Sequence, residues 1–175
     1  MVRVIGYGSL LCEKSANNTC DIKNFSHWYI QWYSRIFNKL GFNPYLEEYN
    51  DDTAMLNVFP NENNWLLISY FDVDKSEYHK MQKRECDYDE CEVQIYDLEK
   101  NPVGTGILYV SKEFVDYHWE KKKMLFDNIT PEKRYLDICL NAVKKTDFYD
   151  EFLDSTYMSC KKMKLREYVE KELII

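Results

Sequence analysis

The residues near the start of the chain with the clearest potential for chemistry are two closely spaced glycines, Gly6 and Gly8. Three of the four residues 2–5 before them are apolar and β-branched, which predicts a short, largely buried strand that ends in a turn. Glycine lets a ligand approach the main chain, and N–H groups beyond a strand end suit an anionic or carbonyl oxygen. The alternative interpretation is a tight strand-to-helix turn capped by Ser9.

Several other kinds of site are excluded or disfavoured by spacing. A dinucleotide fingerprint needs a third glycine where this chain has Leu11, and the Gly-Lys-Ser/Thr triplet of a phosphate loop is absent from the sequence. The three histidines, His27, His79 and His118, have neither metal-ligand nor catalytic spacing. We therefore expect no metal and no cofactor.

A second candidate for chemistry is Glu85, in the segment Arg-Glu-Cys-Asp-Tyr at 84–88. The segment lies between a predicted helix end and a predicted strand start, where a scaffold can hold a side chain in place. A single glutamate is most often an exposed residue. The case for Glu85 as a functional residue therefore depends on the elements that surround it.

Those elements are predicted from hydrophobic periodicity and from turn residues. The predicted strands after the first cover residues 27–38, 54–59, 65–73, 91–96 and 103–110. The pair 54–59 and 65–73 is interpreted as a hairpin around a turn at 61–64, since Pro60 should stop the earlier strand. Within 27–38, alternation places Trp28, Ile30 and Trp32 on one face.

Helices are predicted mainly after the strands. One is capped by Asp74 or Ser76 and runs to about residue 86, one begins with Thr130 as N-cap and Pro131 in its first turn, and one covers 147–157. Residues 13–25 and 41–53 are predicted as loops, and residues 111–128 form either an irregular lid or a helix. This order predicts an α+β fold with a mixed, partly closed, barrel-like sheet flanked by helices.

The order of motifs resembles the γ-glutamylcyclotransferase-like family over roughly residues 2–157. The motifs are Tyr-Gly-Ser-Leu at a strand end, Arg-Glu-x-x-Tyr between helix and strand, a glycine-containing strand ending in Tyr109, and Pro-x-x-x-Tyr-Leu-Asp at 131–137. The resemblance implies a domain at 1–157. The amphipathic tail at 158–175, with Leu165 and Leu173, is predicted to be helical and to pack on the same domain or on a partner.

The resemblance also implies roles for residues. Glu85 corresponds to the family's catalytic acid/base, and the turn Tyr7, Gly8, Ser9 and Leu10 to its substrate-cradling loop. Tyr135 corresponds to a pocket tyrosine, and Tyr88 and Tyr109 are looser matches to aromatic pocket residues. Many members have Asn where this chain has Leu10, which removes one polar side chain from the cradle, and the 111–129 segment is longer than the usual connection.

The implied activity is release of 5-oxoproline, as a lyase or acyltransferase, from a small γ-glutamyl amine, a dipeptide or a glutathione-like compound, which belongs to glutathione metabolism. Attack of a substrate's own α-amine on its γ-carbonyl needs proximity rather than an enzyme nucleophile. The alternatives are a catalytically silent binding or regulatory module on the same scaffold, and an enzyme that removes a γ-glutamyl protecting group.

Composition limits the partners and the location. The chain has 175 residues, 45% hydrophobic content and a net charge of −7, which predicts a single folded domain and argues against nucleic acid or an anionic membrane as partner. Six widely spaced cysteines, no signal peptide and no run long enough to span a membrane predict a cytoplasmic protein with free thiols. We expect a small-molecule γ-glutamyl substrate and a monomer or homodimer.

Overall fold

The structure is a computed structural model that describes residues 1–43 and 48–172. The strands are β1 (Val2–Gly6), β2 (Ile22–Asn43), β3 (Glu48–Val73), β4 (Tyr88–Tyr96), β5 (Pro102–Ser111), β6 (Phe114–Tyr117), β7 (Glu120–Lys123), β8 (Thr130–Pro131) and β9 (Tyr157–Met158). The helices are a short 3₁₀ turn (Ser9–Leu11), α1 (Glu13–Asn17), α2 (Tyr78–Arg84), α3 (Lys133–Val143), α4 (Tyr149–Ser155) and α5 (Leu165–Glu172).

The main sheet closes on itself in part, which confirms the predicted α+β class. Its strand order is β8-β3-β1-β5-β4-β2-β9, and β2 also pairs with β3. The ring is completed by a single pair of residues between β2 and β4, Tyr29 with Tyr96. The two strands are therefore paired at only one position within the part of the chain that the structure describes. β1 lies between β3, which is antiparallel to it, and β5, which is parallel to it.

The predicted hairpin of 54–59 with 65–73 is wrong, because both segments belong to the single strand β3, whose partner is β2. Pro60, which should have ended a strand, pairs with Tyr33 next to a register shift. At that shift Trp32 has a positive φ of 68° and is 61% exposed. A bulge there accommodates a residue that donates no ladder hydrogen bond, and it also interrupts the predicted alternation of faces.

Several predicted loops and helix ends also differ from the structure. The loop predicted at 13–25 contains α1 and the start of β2, and the loop at 41–53 is strand on both sides, with residues 44–47 outside the described residues. The 111–128 segment, predicted as an irregular lid or a helix, instead contains the β6–β7 hairpin at 114–123. Thr130 and Pro131 pair with β3 as β8, so α3 begins only at Lys133.

The helices contribute to two apolar clusters: α3, α4 and α5 pack into the larger one, and α1 and α2 into the smaller one. The buried face of α3 presents Leu136, Cys139, Leu140 and Val143, apolar residues that recur at helical spacing in the sequence. Phe152 of α4 and Leu165 of α5 are fully buried in the same apolar cluster. Leu173 of the predicted tail lies outside the described residues. Among the helices of the described ranges, none is both long and apolar enough to cross a membrane.

The end of β1 is packed so closely that a side chain at Gly6 has no room. A Cβ there would lie 2.5 Å from the Cβ of Leu10 and 2.6 Å from the Oγ of Ser69. Ser69 Oγ also donates a hydrogen bond of 2.7 Å to the Leu10 carbonyl. The turn after β1 is therefore held directly against β3.

We predict that Gly6→Ala lowers the free energy of unfolding by about 1–3 kcal/mol, because the added methyl forces the turn away from β3. Urea unfolding measures this loss. Lys83→Ala, at an exposed position of α2, is the control and should change stability by no more than about 0.5 kcal/mol. Equal stability of Gly6→Ala and the wild type would contradict the packing described here.

Candidate active site

The eight residues singled out from the sequence line a single cavity. The hollow holds about 320 Å³ of empty space including its open mouth, of which about 30 Å³ is available to the centre of a water molecule. Such a site suits a small head group rather than a bulky ligand. Its lining comprises Ile5, Gly6, Tyr7, Gly8, Ser9, Leu10, Leu56, Glu85, Tyr88, Tyr109 and Tyr135.

One wall is the turn that follows β1. The chain enters the 3₁₀ turn at Ser9, with Gly8 in the N-cap position and no side-chain capping bond. The suggestion that Ser9 caps the turn is therefore wrong, because its hydroxyl accepts a hydrogen bond of 3.0 Å from Arg84 Nη2 instead. The first N–H groups of a helix have no partner within it, so this wall offers main-chain donors.

Gly8 allows close contact between the turn and α3. A Cβ at Gly8 would lie 2.9 Å from the hydroxyl oxygen of Tyr135 and 3.3 Å from Leu56 Cδ1. Tyr135 stands on the first turn of α3, and its ring packs edge-on against Phe37 of β2 at 6.3 Å. The missing side chain thus lets a tyrosine hydroxyl reach the backbone of the turn.

Glu85 stands opposite, at the C-terminal end of α2. Its N–H donates to the Met81 carbonyl at 2.9 Å, and its carbonyl accepts from the Tyr88 N–H at 3.0 Å, so the backbone is fixed on both sides. The side chain is only 14% exposed, and its Oε1 lies 3.0 Å from Arg84 Nε. Burial raises the pKa of Glu85, while the cations of Arg84 and Lys39 act in the opposite direction.

Tyrosine hydroxyls supply further polar groups around the cavity. Tyr7 donates to the Tyr109 carbonyl at 2.7 Å, and Tyr88 donates to the Leu56 carbonyl at 3.3 Å. Burial raises the pKa of Tyr7, Tyr88 and Tyr135 well above the ordinary value. These hydroxyls consequently stay protonated at neutral pH. The Tyr109 hydroxyl lies 3.1 Å from that of Tyr78.

A buried ion pair behind Glu85 was not predicted from the sequence. Lys39 of β2 is almost fully buried, its Nζ lies 3.3 Å from Asp87 Oδ2, and it stands 4.9 Å from the centre of the Tyr88 ring. The Tyr49 hydroxyl donates to Asp87 Oδ1 at 2.9 Å. Burial lowers the pKa of Lys39, and Asp87 opposes that effect. Lys39 directly follows the predicted strand 27–38, and its residue type gave no sign that it would be buried.

Arg84 and Leu56 are also part of the site but were not predicted as site residues. Arg84 precedes Glu85 directly, and Leu56 is one of the alternating apolar residues of β3. Neither position shows from residue type alone that it lines or supports a cavity. Within the described ranges, no group of three or more His, Cys, Asp and Glu side chains could hold a metal ion.

Comparison with known proteins gives structural matches but no match in sequence. No protein-family model and no curated protein matches the chain. A solved structure named gamma-glutamyl cyclotransferase matches with a TM-score of 0.64 and 13% identity, over 86% of this chain and 83% of that one. An uncharacterized protein from Homo sapiens matches with a TM-score of 0.64 and 13% identity, over 86% and 85%.

A third match is a yeast protein named as a gamma-glutamyl cyclotransferase specific to glutathione. It has a TM-score of 0.59 and 10% identity, over 95% of this chain and 96% of that one. At these identities the likeness concerns the course of the backbone rather than the residues. The chain therefore has the fold of the γ-glutamyl cyclotransferases.

Proposed function

We propose that this protein is a γ-glutamyl cyclotransferase-type enzyme that releases 5-oxoproline from a small γ-glutamyl compound. The observation that carries the proposal is the position of the Glu85 carboxyl and the glycine turn, which line the same small cavity. The fold shared with solved γ-glutamyl cyclotransferases supports the same activity. A buried carboxyl in a cleft with a shifted pKa is also typical of catalytic sites.

The reaction needs little machinery, because both reacting groups belong to the substrate. The α-amine nitrogen forms a bond to the γ-carbonyl carbon, and the bond from that carbon to the leaving amine breaks. Holding the two groups in contact can supply up to about 7–11 kcal/mol of the barrier. What remains is proton transfer from the α-ammonium and to the departing amine.

Glu85 is the proposed carrier of that proton. It accepts a proton from the α-ammonium, which becomes the neutral amine nucleophile, and then gives that proton to the leaving nitrogen. The attacking nitrogen loses a second proton as the lactam forms, and the departing amine takes it up and leaves as an ammonium. A general base works best when its pKa lies near the working pH. Burial of Glu85 raises its pKa in that direction.

The turn and the tyrosines are the proposed substrate-binding groups. Main-chain N–H groups of Gly8, Ser9 and Leu10 would hold the substrate carboxylate or the oxygen that becomes negative as the amine attacks. Tyr88, Tyr109 and Tyr135 would shape the pocket and exclude water. Because the mechanism moves only protons and one acyl group, the proposal includes no cofactor.

The small hollow favours a substrate whose γ-glutamyl head enters the cavity while the leaving group stays at the mouth. Glutathione is one candidate, since the yeast protein of the same fold is named as specific to it. γ-Glutamyl dipeptides and amines share the same head. We also propose a cytoplasmic location, where the free cysteines would stay reduced.

We predict that Glu85→Gln lowers 5-oxoproline release about 10²–10⁴-fold, since the amide cannot carry the proton. Release is measured with γ-glutamyl-alanine, glutathione and γ-glutamyl-ε-lysine. Glu92→Gln is the matched control: Glu92 is an exposed carboxylate on β4 outside this cavity, and the variant should keep wild-type rates. Release that persists in Glu85→Gln would refute the assignment of the base. Binding of these compounds without release by the wild type would instead favour a silent binding module.

We predict that Glu85→Gln unfolds at an equal or higher urea concentration than the wild type at pH 7. The folded-state pKa of Glu85 is raised above its ordinary value of 4.5, so folding disfavours the ionised carboxylate. The advantage of the glutamine variant should be absent below pH 4.5, grow as the pH rises through the raised pKa, and stay constant above it. A variant less stable than the wild type at pH 7 would indicate that the Arg84 ion pair outweighs burial.

A further inference from the structure

Arg84 connects three separate parts of the chain at the edge of the cavity. Its Nε lies 3.0 Å from Glu85 Oε1, and its Nη2 donates to Ser9 Oγ at 3.0 Å. Its Nη1 donates to Thr19 Oγ1 at 2.6 Å and to the Ser15 carbonyl at 3.1 Å. One guanidinium thus joins the end of α2 to the glycine turn, to α1 through Ser15, and to Thr19 just after α1.

These contacts use nearly all the hydrogen-bonding capacity of the side chain. A guanidinium has five N–H donors in a fixed plane. Three hydrogen bonds occupy both donors on Nη1 and one on Nη2, while Nε is paired with the Glu85 carboxylate. A single N–H is left. A bidentate grip on a substrate carboxylate needs two, so the geometry does not suit Arg84 as the substrate's main anchor.

The same contacts fix one oxygen of the proposed base and leave the other available. Oε1 of Glu85 lies 3.0 Å from Arg84 Nε, whereas within the described residues no hydrogen bond is made to Oε2. The planar fork holds its partners more rigidly than a lysine ammonium would. Two of the residues that accept hydrogen bonds from Arg84, Ser15 and Thr19, lie outside the cavity lining. The guanidinium therefore connects the proposed base to elements outside the cavity.

We infer that Arg84 is a positioning residue for the proposed reaction. It holds Glu85 Oε1 at a set distance from the glycine turn and leaves Oε2 to exchange the proton. This inference rests on the proposed function. It goes beyond it because it assigns a task to a residue that neither contacts the substrate nor carries a proton.

The test compares Arg84→Met with Arg84→Lys, using 5-oxoproline release over a range of pH together with direct NMR titration of the Glu85 carboxyl carbon. Misplacing a catalytic group by about 1 Å can cost on the order of 10²-fold. We therefore expect Arg84→Met to lower kcat about 10–100-fold, with KM changed less than about 3-fold. Because the Arg84 cation lowers the pKa of Glu85, its removal should move the titration midpoint to higher pH.

Arg84→Lys separates charge from geometry. It keeps the cation, so the Glu85 midpoint should stay near that of the wild type, but it cannot reach Ser9 and Thr19 together and should recover kcat only in part. Thr19→Val removes one anchor without changing charge, and it should lower kcat a few-fold with the midpoint unchanged. This variant keeps the inference testable if Arg84→Met does not fold.

Two results would overturn the inference. One is a Glu85 midpoint that does not move in Arg84→Met; the other is wild-type kcat in both Arg84→Lys and Thr19→Val. The NMR titration does not depend on turnover. If the wild type releases no 5-oxoproline from any substrate, the proposed function fails, while an upward shift of the midpoint in Arg84→Met still supports the ion pair that fixes the carboxyl.

Discussion

The site depends on a close contact between the end of β1 and its two neighbours, β3 and α3. At Gly6 the turn packs directly against Ser69, and at Gly8 it packs directly against Tyr135. Neither position has room for a side chain. β1 itself is central, with β3 on one side and β5 on the other. A central strand cannot shift without breaking both ladders, so the position of the turn is set by the whole sheet.

Burial raises the pKa of the proposed base, Glu85, and also lowers the stability of the folded state. Glu85 lies at a helix end among tyrosines, where its charge loses most of its contact with water, and two cations offset that loss only in part. A carboxyl with a raised pKa destabilises the folded state at neutral pH. An acid/base residue of this type is therefore maintained by the stability that the rest of the core provides.

The parts of the structure that the sequence predicted well are those governed by local pattern. The apolar stripe of α3, the strands β4 and β5, and the turn after β1 each follow from periodicity or glycine placement within a short window. The course of the long β2–β3 ladder was missed. Pro60 and the Asn-rich residues 61–64 have turn composition, yet they do not end the strand: residues 61–64 are the extra residues of β3, opposite the single residue Trp32 of β2.

The cavity residues were grouped through the order of motifs, because no local pattern states that residues 7 and 85 meet. Their meeting results from pairing between strands that are distant in sequence. Lys39 and Arg84 were missed for a related reason. The sequence does not distinguish a lysine or an arginine that is exposed to solvent from one that is buried in an ion pair. The surrounding elements determine which of the two it is.

The β6–β7 hairpin, in the segment 111–128, is linked through Tyr49 to the Lys39–Asp87 ion pair near the site. Tyr117 of this hairpin packs edge-on against Tyr49 with ring centres 4.9 Å apart, and Tyr49 holds Asp87 through its hydroxyl. Asp87 in turn holds Lys39, whose charge acts on Glu85. The hairpin thus contacts Tyr49, the residue that donates a hydrogen bond to the ion pair near the proposed base. A continuous series of contacts therefore runs from a segment outside the cavity lining to the Lys39 cation, whose charge lowers the pKa of the carboxyl within the cavity.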